Sequence, residues 1–390
     1  MSGPHAGRPL RVLHLDHTTA RGGAEYALLR MLRADPAWSP VVLLAPTDAP
    51  DHGVYRDLPA HVPVRVAGVH QPAGVSAGGR LRQVDALLRL GAQAVATRVH
   101  RAFRSADVVH ANTARAAAYG ALAARTSRVP FVVHLRDMTA PDAIGAAGHA
   151  LMTRLVLPRA DGVIANSHAT LESARPYLRA GARSAVIPSA AGLRPASGAP
   201  RLEGPLRIGM LARIDPWKGQ DLLLRAFAAA LPDSDARLEL PGDAPFGHEA
   251  HAARLQALAV ELGVADRVEF PGHVEDVPGT LARWDVAVQA SVRAEPLGQN
   301  VLQYLAAGRA VVVAGEGGPA EWVADGVNGL VVEPRDVPAL AEALGRLAAD
   351  AALRERLATA AAATPGLLDD AAVAAAHARF YAEVRAAVSG

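Results

Sequence analysis

The sequence predicts an α/β protein built from two doubly wound halves, and three observations carry that prediction. Short apolar runs bounded by turn residues alternate along the chain with helix-length segments. Several of these runs lead into a glycine-bearing loop and then a helix, as at Thr18–Gly23. The alternation breaks once, over Ser189–Gly204, where Pro195, Gly198, Pro200 and Gly204 replace apolar residues, and it restarts at Leu206–Leu211. At 390 residues the chain is long enough for two domains with full cores. The expected division is residues 1–190, a linker over 191–204, residues 205–370, and a final helix over 371–390 that crosses back to the first domain.

Composition narrows the class. Apolar residues make up 51% and lean on alanine, while aromatics are only 4%, so helices should be many and closely packed. The net charge of +2 is too balanced to argue for nucleic acid. Cysteine is absent, which excludes disulfides and thiolate metal sites and suits a reducing cytoplasm. Met1–Pro9 lacks the apolar core of a signal peptide. No apolar run reaches the roughly 18 residues of a spanning helix. A soluble cytoplasmic protein is expected.

In the first half Leu10–Leu15 reads as a buried strand. The loop Thr18–Gly23 with its Gly22-Gly23 pair follows, then a helix over Ala24–Leu32. The spacing is not Gly-x-Gly-x-x-Gly, which disfavours a dinucleotide-binding dehydrogenase. Val41–Ala45 is the next strand, and Pro46–Gly79 reads as irregular. Over Arg80–Arg104 apolar residues recur at helical spacing, accompanied by Arg82, Arg89, Arg98, Arg101 and Arg104. This basic helix is either a solvated face or a peripheral contact for anionic lipid or an acidic acceptor. Further strands are expected at Asp107–Ala111, Phe131–Leu135, Gly162–Ala165 and Ala185–Pro188. His134 stands at the end of one of them, followed by Arg136 and Asp137, and Asn166-Ser167 caps the next helix.

In the second half Arg213 leaves a strand end and Lys218 begins a helix, with Pro216 fixing the turn between them. A guanidinium for forked hydrogen bonds and an ammonium as a compact charge suit a diphosphate. Arg237–Leu240, Arg267–Phe270 and Asp285–Gln289 read as strands. Glu295-Pro296-Leu297-Gly298 then opens a helix that stops at Gly308, with Ala310–Ala314 as a buried strand behind it. Such a loop aims backbone N–H groups and the positive end of a helix dipole at one point, an anion site. Glu295 cannot hold a phosphate and is assigned to sugar hydroxyls, so the loop suggests a sugar nucleotide. Gly315–Pro319 is a second glycine loop, Gly329–Val332 the last strand and Asp336–Leu347 an amphipathic helix.

These residues resemble the retaining glycosyltransferases of family 4, which have the GT-B fold, two Rossmann-like domains facing a central cleft. The resemblance rests most on Ala212-Arg213…Trp217-Lys218-Gly219, Glu295-Pro-Leu-Gly…Ala-Ala-Gly308 and Gly317-Gly318…Asp325-Gly326…Asn328-Gly329. It implies that the second half binds the nucleotide sugar and the first half the acceptor. Arg213 and Lys218 would hold the diphosphate. Glu295 would contact the donor sugar, with backbone N–H groups of Leu297, Gly298, Gln299 and Asn300, while Gly22, Gly23 and His134 would face the same ligand. The family's usual second acid, on the ribose, is Gln303 here, and a neutral amide makes the weaker bond.

The expected reaction is same-face transfer to an acceptor hydroxyl assisted by the leaving diphosphate, with UDP the first donor base and GDP the second. No acid pair stands at retaining-glycosidase spacing. No Asp-x-Asp lies at a suitable strand end, so no metal and no cofactor is expected. The acceptor is unread: a glycan, a lipid-linked glycan or a small metabolite. A sugar-nucleotide epimerase, a phosphorylase and a non-catalytic nucleotide-binding relative remain as alternatives.

Overall fold

The structure, a computed structural model, describes residues 8–20, 22–47, 52–70, 80–193, 204–244 and 247–389, without the side chains of residues 80–83. The chain divides into two compact units, residues 1–189 with 370–390, and residues 190–369. In the first unit seven strands form one sheet: β1 (Arg11–Asp16), β2 (Ser39–Leu44), β3 (Val64–Val66), β4 (Val108–Ala111), β5 (Phe131–Leu135), β6 (Gly162–Ala165) and β7 (Arg183–Val186). Their order is β3-β2-β1-β4-β5-β6-β7, all parallel. The second unit holds β8 (Arg207–Gly209), β9 (Arg237–Glu239), β10 (Val268–Glu269), β11 (Val286–Gln289), β12 (Ala310–Ala314) and β13 (Leu330–Val332). Their order is β10-β9-β8-β11-β12-β13, again all parallel.

The central strands are buried along their whole length, as in Val-Val-His-Ala of β4 and Ala-Val-Val-Val-Ala of β12, because a parallel sheet is covered on both faces. Alanine lets the covering helices lie close: Ala116, Ala117, Ala118 and Ala121 of the helix Ala114–Ala124 are fully buried. In both sheets the winding reverses once, between β1 and β4 and between β8 and β11, where Leu15 pairs Ala111 and Gly209 pairs Ala287. Loops leaving neighbouring strands diverge at such a reversal and open a crevice at the carboxyl edge. Each unit therefore has its own predisposed site.

Some elements depart from expectation. The segment read as irregular contains a 3₁₀ turn, Gly53–Asp57, and β3. The basic helix breaks at His100 into Arg80–Val99 and Arg101–Arg104, since His100 takes an extended conformation and its ring accepts from the Ala102 N–H. Most of the expected linker, like Arg21 and parts of the 46–79 stretch, lies outside the described residues. The terminal helix Asp370–Ser389 belongs to the first unit and buries Val373, His377, Phe380, Tyr381 and Val384 along one face.

Candidate functional site

In the second unit the site forms at the β8/β11 reversal. The chain after β8 ends in a 3₁₀ turn, Pro216–Lys218, whose preceding Asp215 caps the Trp217 N–H at 3.4 Å. Lys218 closes this turn instead of opening a helix. Gly219, at φ 78°, redirects the chain and the helix Gln220–Ala230 follows. A Cβ at Gly219 would sit 1.9 Å from the carbonyl oxygen of Ala290. Only glycine lets this turn meet the loop after β11, and the Val292 N–H seals the contact by donating to the Trp217 carbonyl at 2.8 Å.

That approach brings Lys218 to Glu295. The Lys218 Nζ stands 3.0 Å from Glu295 Oε2, with both side chains largely buried. Glu295 also accepts from Gln289 Nε2 at 3.1 Å and from the Ser291 hydroxyl. Burial alone would raise the Glu295 pKa, but the Lys218 charge and these donors outweigh it and hold the group below the ordinary carboxylate range. Trp217 lies under two cations, Lys218 of the same turn, whose Nζ is 3.9 Å from the ring, and Arg293 of the loop after β11, whose guanidinium carbon is 4.3 Å from it. The division of labour expected from the sequence, Lys218 for phosphate and Glu295 for hydroxyls, thus meets a direct ion pair that orients each group with the other.

Beyond Glu295 the backbone at Gly298 is left-handed, φ 73°, against the ring of Pro319, and it starts the helix Gln299–Ala306. Among the described residues the backbone N–H groups of Leu297, Gly298, Gln299 and Asn300 donate to no other protein group. They are the unsatisfied donors of a helix start. The side chains here serve structure. Leu297 is buried with Leu302 and Ala306, and Gln299 donates to the Ala190 carbonyl at 2.8 Å. Asn300 reaches the Leu211 carbonyl and the Tyr304 hydroxyl, both at 3.2 Å. Tyr304 in turn accepts from the Leu211 N–H at 2.7 Å, so this helix pins the loop that carries Arg213. Arg213 is exposed on that loop, and Gln303 is half-buried one turn into the helix. Asn328, within the Asp325–Gly329 turn, bonds Ala324, Trp322 and Thr364 and is structural. No group of three possible metal ligands occurs among the described residues.

In the first unit the β1/β4 reversal carries a buried network that motif reading missed. Asp16 ends β1 and accepts from the Tyr55 hydroxyl at 2.6 Å and Asn112 Nδ2 at 2.8 Å. Arg136 forks onto Asn112 Oδ1 at 2.8 and 3.1 Å. Glu25 folds back over Gly22, where a Cβ would strike its carboxylate. Burial, then the negative charge of Asp16, pushes Glu25 up to about 7. The signals in the sequence were the Glu25 that follows Gly22-Gly23-Ala24 and the Arg136-Asp137 pair.

His134 needs correction. It lies inside β5, 4% exposed, and its ring packs between those of His110 and His377 at 5.6 and 5.5 Å. Among the described residues neither of its nitrogens has a partner. β5 is buried on both faces, so His134 within it is covered by the ring of His377, while Arg136 lies past the strand end at the carboxyl edge.

Two doubly wound parallel sheets, one with a cation and a carboxylate meeting beside an open helix start, define an α/β protein with a candidate anion site at a winding reversal. Comparison with known proteins narrows this. The model described as glycosyl transferases group 1 matches residues 205–350, and that of a glycosyl transferase 4-like domain matches residues 22–190. The chain belongs to the family 4 glycosyltransferases with the GT-B fold. An exopolysaccharide phosphotransferase of Streptomyces coelicolor is 36% identical over 214 residues, covering 54% of this chain and 22% of that protein. The lipopolysaccharide core biosynthesis mannosyltransferase LpcC of Rhizobium leguminosarum is 31% identical over 209 residues, 53% of this chain and 59% of that one. The chain thus spans less than two thirds of these relatives. The crystal structure of HepE from Anabaena in complex with UDP is 26% identical, with a TM-score of 0.78 over 96% of this chain and 100% of that one. HepE has also been solved with UDP-glucose.

Proposed function

We propose that this protein is a retaining glycosyltransferase that moves a sugar from a nucleoside diphosphate sugar to an acceptor hydroxyl. UDP is the preferred base and GDP the second. The observation that carries this is the Lys218–Glu295 pair beside the open N–H groups of Leu297–Asn300, at the winding reversal of the second unit. Backbone donors and Lys218, with Arg213 on the neighbouring loop, suit a diphosphate. Glu295, ionised by its partners, suits sugar hydroxyls. The complexes of HepE with UDP and UDP-glucose favour UDP.

Charge grows on the diphosphate as the sugar departs, and fixed cations and amide dipoles stabilise it there. The same diphosphate then takes the acceptor proton, so no protein nucleophile and no metal is required. The acceptor edge is that of the first unit, where Glu25, Asn112 and Arg136 present polar groups near Gly22 and Gly23. The protein works in the cytoplasm and meets membrane through the helix Arg80–Val99, where Leu87 and Leu88 are 64% and 69% exposed. No helix among the described residues is long and apolar enough to cross a membrane.

The test is release of UDP from UDP-glucose in the presence of EDTA. Wild type turns over, and Lys218→Ala slows turnover by about 10²–10³. Turnover near normal in that variant, or absent in wild type until Mn²⁺ is added, contradicts the proposal.

A further inference from the structure

The first unit has a cavity of about 560 Å³ at the opposite end of its sheet from Asp16 and Arg136. Arg11 opens β1, Ser39 opens β2, and Pro63 immediately precedes β3, so the cavity sits at the amino edge of these strands. β1 alone separates the two edges by about 17 Å. Its charged and titratable lining is Arg11, Arg65, Arg101, His61, His100 and Asp35.

The three arginines make no ion pair with a carboxylate among the described residues. Arg65 donates only to the carbonyl of its neighbour Val64. Asp35 faces His61 at 3.9 Å. With both histidines neutral, three guanidiniums against one carboxylate leave a formal charge of +2 around one cavity. His100 is lowered by burial and then by Arg101 and Arg65, which places those two charges near it. The rest of the lining is largely apolar, with Pro36, Trp38, Pro40 and Pro63 beside the hydroxyls of Ser39 and Ser105. Like charges that outnumber their one carboxylate repel one another, and their forked geometry matches an oxyanion. A phosphate monoester carries about −1.5 to −2, the charge that the lining lacks. A volume within the roughly 300–1,000 Å³ of small-molecule sites leaves room for the organic part of such a ligand.

We propose that this amino-edge cavity is a binding site for a phosphate ester, held by Arg11, Arg65 and Arg101 and separate from the carboxyl-edge sites. The phosphate comes either from a soluble sugar phosphate or from a lipid headgroup, since the helix Arg80–Val99 with its exposed apolar residues leads directly into His100 and Arg101.

The experiment titrates the full chain, saturated with UDP, with inorganic phosphate and with glucose 1-phosphate, following binding by calorimetry. The same titrations are made on the Arg65→Gln/Arg101→Gln double variant. Vesicles of phosphatidylglycerol or of phosphatidylcholine are sedimented with both proteins in parallel. The expected result is binding at about millimolar concentration or tighter, weakened about tenfold or more in the double variant, with UDP affinity and melting temperature unchanged. Loss restricted to the soluble esters identifies a soluble ligand, and loss extending to phosphatidylglycerol vesicles identifies a headgroup. Absence of phosphate binding in wild type together with vesicle binding that the substitutions do not alter would overturn the proposal. So would phosphate binding of equal strength in both proteins.

Discussion

Lys218 and Glu295 show how the second unit's site is set by single residues. Their 3.0 Å contact depends on Gly219, because the turn carrying Lys218 reaches the loop after β11 only where no Cβ intervenes. Gly219→Ala forces a left-handed conformation on alanine and a clash with the Ala290 carbonyl. We predict a destabilisation of about 1–3 kcal/mol, seen as a lowered midpoint in urea denaturation, together with weaker UDP binding. An unchanged midpoint would show that the two loops are not coupled. At this scale the sequence was legible in bringing Lys218 and Glu295 to one strand edge, where the two side chains meet at 3.0 Å. It misled at His134 because a histidine one residue short of a strand's end is still covered where the strand is buried on both faces, here by the ring of His377. No local pattern announces a ring brought up from a helix more than two hundred residues further along the chain.

Among the elements, strands and the longer helices were readable because parallel strands buried on both faces form continuous apolar runs. β3 was not, since Val64–Val66 is a short edge strand with only Val64 half-buried. The helix Arg80–Val99 was readable as basic and amphipathic, but not the extent to which its apolar side chains face solvent. Val84, Leu87, Leu88, Val95 and Val99 are all more than half exposed. Large apolar side chains at helical spacing beside arginines are the pattern of a helix that lies in a membrane interface. Leu87→Gln/Leu88→Gln should leave the fold and UDP binding intact while reducing sedimentation with phosphatidylglycerol vesicles several-fold, at about 25 cal/mol per Å² of apolar area lost from the interface. Equal sedimentation of variant and wild type would show that this face serves another purpose.

For the molecule as a whole, stability against acid is governed by the first unit. His14, His110 and His134 are buried and neutral beneath the terminal helix, whose own His377 is buried and neutral against them. Burial is the largest cause of the lowered pKa in all four. Repulsion between the rings as they charge adds to it for His14, His110 and His134, Arg136 adds to it for His110, His134 and His377, and a carbonyl contact partly offsets it for His377; His14 falls to about 3 and His377 to about 4. A histidine whose folded pKa lies below its unfolded value leaves stability intact above about pH 6.5 and removes it as the pH falls. In the folded protein these groups together bind fewer protons below about pH 6.5 than the unfolded chain does, so stability falls as the pH drops. Glu25 acts in the opposite sense between its unfolded value and about 7, but as one group against four. Hydrogen exchange of the helix Asp370–Ser389 should therefore accelerate steeply from pH 7 to pH 5 after correction for intrinsic rates. In His377→Leu the slope should fall by about one proton. A pH-independent opening rate would contradict the buried neutral cluster. The two-unit plan was legible from one break in the strand–helix alternation, and the terminal helix, expected to cross back to the first domain, does belong to the first unit; the histidine seam that it covers rests on long-range packing that no local pattern encodes.

The central claim is that the second unit grips a nucleoside diphosphate through Lys218 and the open helix start after Gly298. Calorimetric titration of UDP into wild type and Lys218→Ala tests it most directly. The account predicts saturable binding to wild type, weakened about tenfold or more in the variant. Equal affinity in the two proteins, or no UDP binding to wild type, would contradict it.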